Sequence, residues 1–290
     1  MTGSREAEPG VGGALMLVGT PIGNLGDLSP RVIDTLRDAD LIACEDTRRT
    51  HALMSHAGVA GGGRLRSIAA HDETARCAWV VQQVESGLRV AYVTDAGMPG
   101  VSDPGTKLVR ACLDAGLAVE VVPGPTALTA ALVLSGLPTD RFVFEGFLPR
   151  KGSGRSERLA EIAAETRTVV VYESPRRVVA TLKELVTHCG PDRAASLARE
   201  LTKLHEEVLR GTLADVIEAL HGEDPRGECV IVVGGADRER PSATVEEIDA
   251  ALRTEIEAGT SKKDAAAIVS VRLGLPRREV YERAVRLSSR

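Results

Sequence analysis

The residues of this chain that could do chemistry gather in loops that close short apolar runs. Leu15-Met16-Leu17-Val18 leads into Gly19-Thr20-Pro21-Ile22-Gly23-Asn24, and Leu41-Ile42-Ala43-Cys44 into Glu45-Asp46-Thr47-Arg48. Val90-Ala91-Tyr92-Val93 opens a longer loop, residues 94–105, which holds Asp95, Gly97, Met98, Pro99, Val101, Ser102 and Asp103. Val119-Glu120-Val121-Val122 ends in Pro123-Gly124-Pro125-Thr126-Ala127, and Val169-Val170-Val171-Tyr172 in Glu173-Ser174-Pro175-Arg176-Arg177. In open α/β sheets ligands bind at the loops leaving the carboxyl ends of strands. Five such loops rich in Gly, Pro and acids predict a substrate cleft, and with it an enzyme.

Several chemistries are excluded by what these loops contain. The first is not G-x-G-x-x-G, and Pro21 removes a backbone donor that a pyrophosphate cradle needs. The chain has neither G-x-x-x-x-G-K-[ST] nor G-x-S-x-G, which argues against a P-loop nucleotidase and against a hydrolase elbow. The six histidines show no metal-ligand spacing, so no metal site is expected. His71-Asp72-Glu73 is the one tight His/acid cluster, and a solvated helix start explains it equally well. Cys44, Cys77, Cys112, Cys189 and Cys229 are odd in number and never C-x-x-C, which excludes a disulfide framework and favours a reduced, cytoplasmic setting.

The elements that must position these loops follow from the chain's punctuation. Residues 1–13 read as a loose tail without the pattern of a secretory signal. Residues 14–124 alternate strand-like runs with helical patterns, such as Ser29-Pro30 through Leu36 and Asp103-Pro104 through Leu113. This is the rhythm of a parallel sheet with helices on its faces. Residues 125–237 read as a second α/β domain, with a helix over 127–135 closed by Gly136 and strands at 142–144, 169–172, 194–198 and 229–233. Arg240-Pro241-Ser242 is the expected linker. Residues 242–290 read as all-helical. There Thr244 and Glu247 form a capping-box pair, Ser261 caps the next helix, and Gly274-Leu275-Pro276 turns into the last. Two short helices joined by a Gly-containing turn make a helix-turn-helix pattern, which fits nucleic-acid binding or a small packing bundle.

The net charge of −5 alone argues against a nucleic-acid partner. Its distribution argues the other way. Residues 261–290 carry eight basic side chains against three acidic ones, which leaves +5 there and −10 on the rest. A basic end on an acidic body suggests an anionic partner, although solubility alone would also explain it. No apolar stretch is long enough for a membrane span.

Seven motifs taken together add a resemblance. These are Val18-Gly19-Thr20-Pro21-Ile22-Gly23-Asn24-Leu25, Glu45-Asp46-Thr47-Arg48, the run 95–105, Pro123-Gly124-Pro125, Glu145-Gly146-Phe147-Leu148-Pro149, Tyr172-Glu173-Ser174 and Ala198-Arg199-Glu200-Leu201-Thr202-Lys203. In this order, from about Leu15 to Val285, they resemble the bacterial ribosomal RNA small-subunit methyltransferase I family, a tetrapyrrole-methylase-like (class III) group. The resemblance implies two α/β domains with a cleft between them that holds S-adenosyl-L-methionine, plus the small helical segment. It also implies 2′-O-methylation of a cytidine near the decoding centre of small-subunit ribosomal RNA, within the assembled subunit, by a homodimer. A tetrapyrrole or other small-molecule methyltransferase is the alternative on the same fold, and a DNA-binding regulator would leave the cleft unexplained.

The same resemblance implies site residues. Ile22, Gly97, Met98, Val101, Ser102, Thr126, Ala127, Tyr172 and Ala198 would contact the donor. Glu45, Asp46, Asp95 and Glu200 would be candidates to take the proton of the acceptor hydroxyl, a poor nucleophile until that proton is removed or hydrogen-bonded. Arg48, Arg150, Lys151, Arg176, Lys203, Lys262, Arg277 and Arg278 would meet RNA phosphates, and Phe147, Tyr172 or Arg48 would stack on a splayed base. Structural ion pairing explains Asp46 with Arg48 and Glu200 with Lys203 as readily. Two positions depart from the family: it usually has His-Asn-Glu at residues 71–73 and commonly Gly-Thr-Pro at residues 97–99.

Overall fold

The computed structural model describes residues 12–68, 73–237 and 243–287. Most of the expected tail, His71 and Asp72, and the expected linker Arg240-Pro241-Ser242 lie outside them. Contacts divide the chain into two compact units, residues 1–236 and 237–290.

The first unit opens with a five-stranded parallel sheet of β1 (Ala14–Val18), β2 (Leu41–Cys44), β3 (Leu65–Ser67), β4 (Arg89–Val93) and β5 (Ala118–Val122), in the order β3-β2-β4-β1-β5. Apolar side chains cover both faces, as parallel strands buried on two sides require. Met16, Val18, Ile42, Ala91 and Val93 pack under α1 (Pro30–Asp38) and α2 (Thr47–His56). Leu15, Ala43, Val90 and Tyr92 point the other way, against α3 (Glu73–Glu85) and α4 (Thr106–Asp114). The helix expected from Asp103-Pro104 begins at Thr106 instead. Gly105 holds φ +137 there, and the Pro104 carbonyl is used by the Gly100 N–H at 3.2 Å, so residues 94–105 stay a loop.

A second sheet orders β6 (Phe142–Phe147), β7 (Thr168–Glu173), β10 (Cys229–Val233), β8 (Ala194–Arg199) and β9 (Glu207–Thr212) as β6-β7-β10-β8-β9. Only β6 and β7 are parallel, and the other neighbours run antiparallel. One face packs on α5 (Ala127–Ser135). The other packs on α6 (Ser153–Ala164), α7 (Val178–Cys189) and α8 (Leu213–Ala219). α5 matches the expected helix, with Thr126 as N-cap and Gly136 left-handed at its end.

Among the described residues the second unit comprises three helices, α9 (Val245–Glu257), α10 (Lys262–Leu273) and α11 (Arg277–Leu287). Ile248, Leu252, Ala265, Val269, Val280 and Ala284 form its core. The Thr244–Glu247 capping box closes in both directions, and Ser261 caps α10. Pro276 lies just before α11 rather than in its first turn, its carbonyl accepting from the Val280 N–H at 3.3 Å.

Candidate functional site

The loops after β1, β4 and β5 lock to one another because β1 lies between the other two strands. The Thr20 N–H donates to Gly97 O at 2.8 Å and the Gly97 N–H donates back to Thr20 O at 3.1 Å. The Gly19 N–H donates to Val122 O at 2.9 Å, and a Cβ on Gly19 would sit 2.6 Å from Gly124 N. Gly97 adopts φ +78, a conformation that strains any side chain. Met98, the departure from the family pattern, contributes its sulfur: the Gly124 N–H donates to Met98 Sδ at 3.2 Å.

The second sheet brings three more loops to one edge. β10 runs antiparallel to β7 and β8, so its first residue, Cys229, pairs with Glu173 at the end of β7 and with Arg199 at the end of β8. Residues 174–175, 200–203 and 227–228 therefore lie side by side. The Glu200 N–H donates to Glu228 O at 3.0 Å, and the Asn24 N–H donates to Thr202 Oγ1 at 3.0 Å, tying this edge to the loop after β1.

Between these loops lies a cavity of about 390 Å³. Ile22, Gly97, Met98, Val101 and Ser102 line it from the first sheet, Thr126 and Ala127 from the start of α5, and Tyr172 from the end of β7. Ala198, expected in the same wall, does not line it. Ala198 is fully buried against α5; it shares that face with Tyr172 and Val230, which line the cavity, but β8 lies one strand beyond β10 from β7. Phe147, expected to stack on a base, also lines the cavity, and so do Glu173, Ser174, Gly227, Glu228 and Asp103, which were not predicted as contacts. The Tyr172 hydroxyl accepts the Leu128 N–H at 2.8 Å, so its own proton remains to be donated elsewhere. Burial raises its pKa. Phe144 and Phe147 meet the ring edge-on at 4.9 and 5.7 Å. Burial likewise pushes the Cys229 thiol up to about 12, which removes thiolate chemistry from the cavity.

The predicted carboxylates fall into different circumstances. Asp46 caps α2, accepting from the Arg48 N–H at 2.8 Å and from the Arg48 guanidinium at 3.0 Å. These bonds hold its carboxyl down at about 2, which suits a cap and not a base. Glu200 accepts from Lys203 Nζ at 2.8 Å and from the Glu228 N–H at 3.1 Å, and Lys203 lowers its pKa. Asp95 pairs with Arg49 at 3.2 Å, while its Oδ1 is buried with no hydrogen-bond partner among the described residues. Glu45 is half-buried at the end of β2.

Asp103 is the residue that sequence reasoning missed. Burial, with Glu45, Asp95 and Glu228 nearby, lifts its carboxyl to about 6. The acids come from three separate loops, Asp95 and Asp103 sharing the one after β4, so spacing along the chain does not announce the whole cluster. Asp103-Pro104 also reads locally as a helix start.

Of the predicted phosphate contacts, Arg48 and Lys203 are engaged with acids, Lys203 also reaching Glu228 at 3.3 Å. Arg150, Lys151 and Arg176 are exposed in the first unit. Lys262, Arg277 and Arg278 are exposed in the second, Arg278 lying 3.1 Å from Glu282. Among the described residues, no group of three or more His, Cys, Asp or Glu side chains is placed to hold a metal ion. No helix among them is long and apolar enough to cross a membrane.

Comparison with known proteins bears on this geometry. Residues 14–217 match the family model described as Tetrapyrrole (Corrin/Porphyrin) Methylases, and residues 242–288 match one described as RsmI C-terminal HTH domain. The chain is 43% identical over 280 residues to the ribosomal RNA small subunit methyltransferase I of Synechocystis sp., covering 96% of this chain and 99% of that one. It is 42% identical over 271 residues to the protein of the same name from Mycobacterium tuberculosis, covering 93% and 94%. Among solved structures it is similar to the cobalt precorrin-4 methyltransferase CbiF, with a TM-score of 0.58 at 18% identity over 76% of this chain and 94% of that one. It is also similar to a diphthine synthase, with a TM-score of 0.57 at 15% identity over 77% and 90%. Those two share its fold.

Proposed function

We infer the reaction from kinship, for this chain belongs to the ribosomal RNA small subunit methyltransferase I family. It is a methyltransferase that uses S-adenosyl-L-methionine to methylate ribosomal RNA of the small subunit. The tetrapyrrole alternative has less support, because the relatives that carry the ribosomal name match nearly the whole chain, including the helical second unit.

The finer reading is that the methyl group goes to the ribose 2′-hydroxyl of a cytidine near the decoding centre. On the same reading the assembled subunit is the substrate, and the enzyme is a cytoplasmic homodimer. The observation that carries the site assignment is the cavity itself. Its volume lies in the range of small-molecule sites, and its walls are backbone groups and small or apolar side chains. Those walls suit a nucleoside and a thioether chain. Ile22, Met98, Val101 and Ala127 offer apolar contact, and Ser102, Thr126 and Tyr172 offer hydroxyls. Asp103 and Glu228 set a negative potential that favours a sulfonium. When bound, the donor supplies an electrophilic methyl carbon. Arg150 and Lys151, three and four residues after Phe147, and Arg176, next to Pro175, would hold phosphates around the opening.

The test is transfer of labelled methyl to small ribosomal subunits from a strain lacking this activity, with naked ribosomal RNA and a porphyrinogen as parallel acceptors. Label on the subunit is expected. Label on the porphyrinogen alone would contradict the ribosomal assignment.

A further inference from the structure

A hydroxyl acceptor needs a group to receive its proton, and three carboxylates line the cavity: Asp103, Glu173 and Glu228. Glu173 is fully committed. The Thr181 hydroxyl donates to it at 2.7 Å, the Ser174 N–H at 2.8 Å, and Arg177 lies 3.4 Å away. Glu228 is largely exposed and pairs with Lys203. Asp103 is half-buried and makes no hydrogen bond or ion pair with any described residue. Its charged neighbours are Glu45 from the loop after β2, Asp95 from the loop after β4 and Glu228 before β10, with the Tyr172 hydroxyl across the cavity. Two of these acids have cationic partners of their own, Asp95 in Arg49 and Glu228 in Lys203, which also holds Glu200.

We propose that Asp103 is the catalytic base, the carboxylate that accepts the proton of the acceptor hydroxyl during methyl transfer. The proposal rests on the reading of this chain as a hydroxyl methyltransferase and assigns a residue within it. As the hydroxyl oxygen bonds the methyl carbon, the carbon–sulfur bond breaks and its electron pair stays on sulfur. The hydroxyl proton passes to an Asp103 oxygen and from there to water. A free carboxylate surrounded by like charge is a stronger proton acceptor than one held by a cation, and a base titrating near the working pH is the more effective. Glu45 and Asp95 act on Asp103 through the field and are positioning residues.

The experiment uses the full chain with Asp103→Asn and Asp103→Glu. Calorimetry with S-adenosyl-L-homocysteine, whose sulfur is neutral, is expected to give affinity within about threefold of wild type for both. Single-turnover transfer to small subunits at pH 7.5 is expected to fall at least about 100-fold in D103N, the usual scale of general-base loss. The wild-type rate should drop about tenfold per pH unit below about 6, and the residual D103N rate should be flat there. D103E should recover part of the rate and keep a pH-dependent limb. As a readout independent of turnover, carbon NMR of aspartate-labelled enzyme should show one carboxyl titrating near 6 that D103N removes. Near-wild-type transfer by D103N, or the same pH profile in both proteins, would overturn the role. If D103N does not fold, a D103E rate that ignores pH would overturn it equally. A wild type that labels no ribosomal RNA would instead overturn the reaction reading, and this proposal with it.

Discussion

Asp46 shows how one side chain serves structure within a site-forming loop. Its carboxyl, held at about 2 by Arg48, lies below its unfolded value, so its charge favours the folded state at neutral pH. That contribution is present above about pH 4 and is lost as pH falls toward 2. Asp46→Asn keeps an N-cap acceptor and removes the charge. Acid titration should therefore show the variant less stable than wild type at pH 7, with the difference shrinking as pH falls from 4 toward 2. Asp103 has the opposite sign. Its raised carboxyl favours the folded state in acid and opposes it once ionised. Replacement by Asn should then raise Tm at pH 7.5 and leave it unchanged at pH 4, where the native carboxyl is already neutral. Ala127 tests the cavity wall. Ala127→Leu fills space at the start of α5 without breaking a hydrogen bond, so donor affinity measured by calorimetry should fall at least about 100-fold while Tm holds. Unchanged affinity would place the donor elsewhere.

The elements that carry these residues were legible where local chemistry decides them. Thr126 and Gly136 bracket α5, Ser29 and Pro30 open α1, and the Thr244–Glu247 pair opens α9, because caps and left-handed glycines act within a few residues. β3 and β9 were not legible. Leu65-Arg66-Ser67 is too short and polar to stand out, and Glu207–Thr212 is an edge strand defined by its pairing with β8. The start of α2 at Thr47-Arg48 is hidden in a loop-like motif, since Asp46 is its single cap residue. Of the nine expected donor contacts, Ile22, Gly97, Met98, Val101, Ser102 and Thr126 lie in loops whose Gly and Pro content is visible in sequence, and Ala127 and Tyr172 border such loops. Ala198 does not line the cavity because β10 stands between β8 and β7, an order set only by the assembled sheet. The acid cluster around Asp103 was invisible for a similar reason, since it exists only after three loops converge. A capping box can be tested on its own: Thr244→Ala should cost about 1 kcal/mol, read as earlier thermal loss of helical signal, with donor binding unchanged.

At the scale of the whole molecule the charge is divided, −10 on residues 1–260 and +5 on the last thirty. Part of that basic charge is consumed within the second unit. Arg283 makes a two-pronged contact with Asp249 at 2.6 and 2.7 Å, and Arg272 pairs with Glu255 at 3.2 Å. Lys262, Lys263, Arg277, Arg278 and Arg286 remain at the surface. Replacing Arg277 and Arg278 together by Ala should weaken ribosomal RNA binding and reduce its salt dependence by about 1.5 in the log–log slope, with donor affinity intact. An RNA affinity equal to wild type would leave the basic end as a solubilising or packing feature. The most direct check on the central claim is mass spectrometry of the nucleoside methylated by the wild-type enzyme on small ribosomal subunits. A cavity that holds the methyl donor beside a free carboxylate predicts 2′-O-methylcytidine, with the added mass on the ribose. A methyl group on the base, or on another nucleoside, would contradict it.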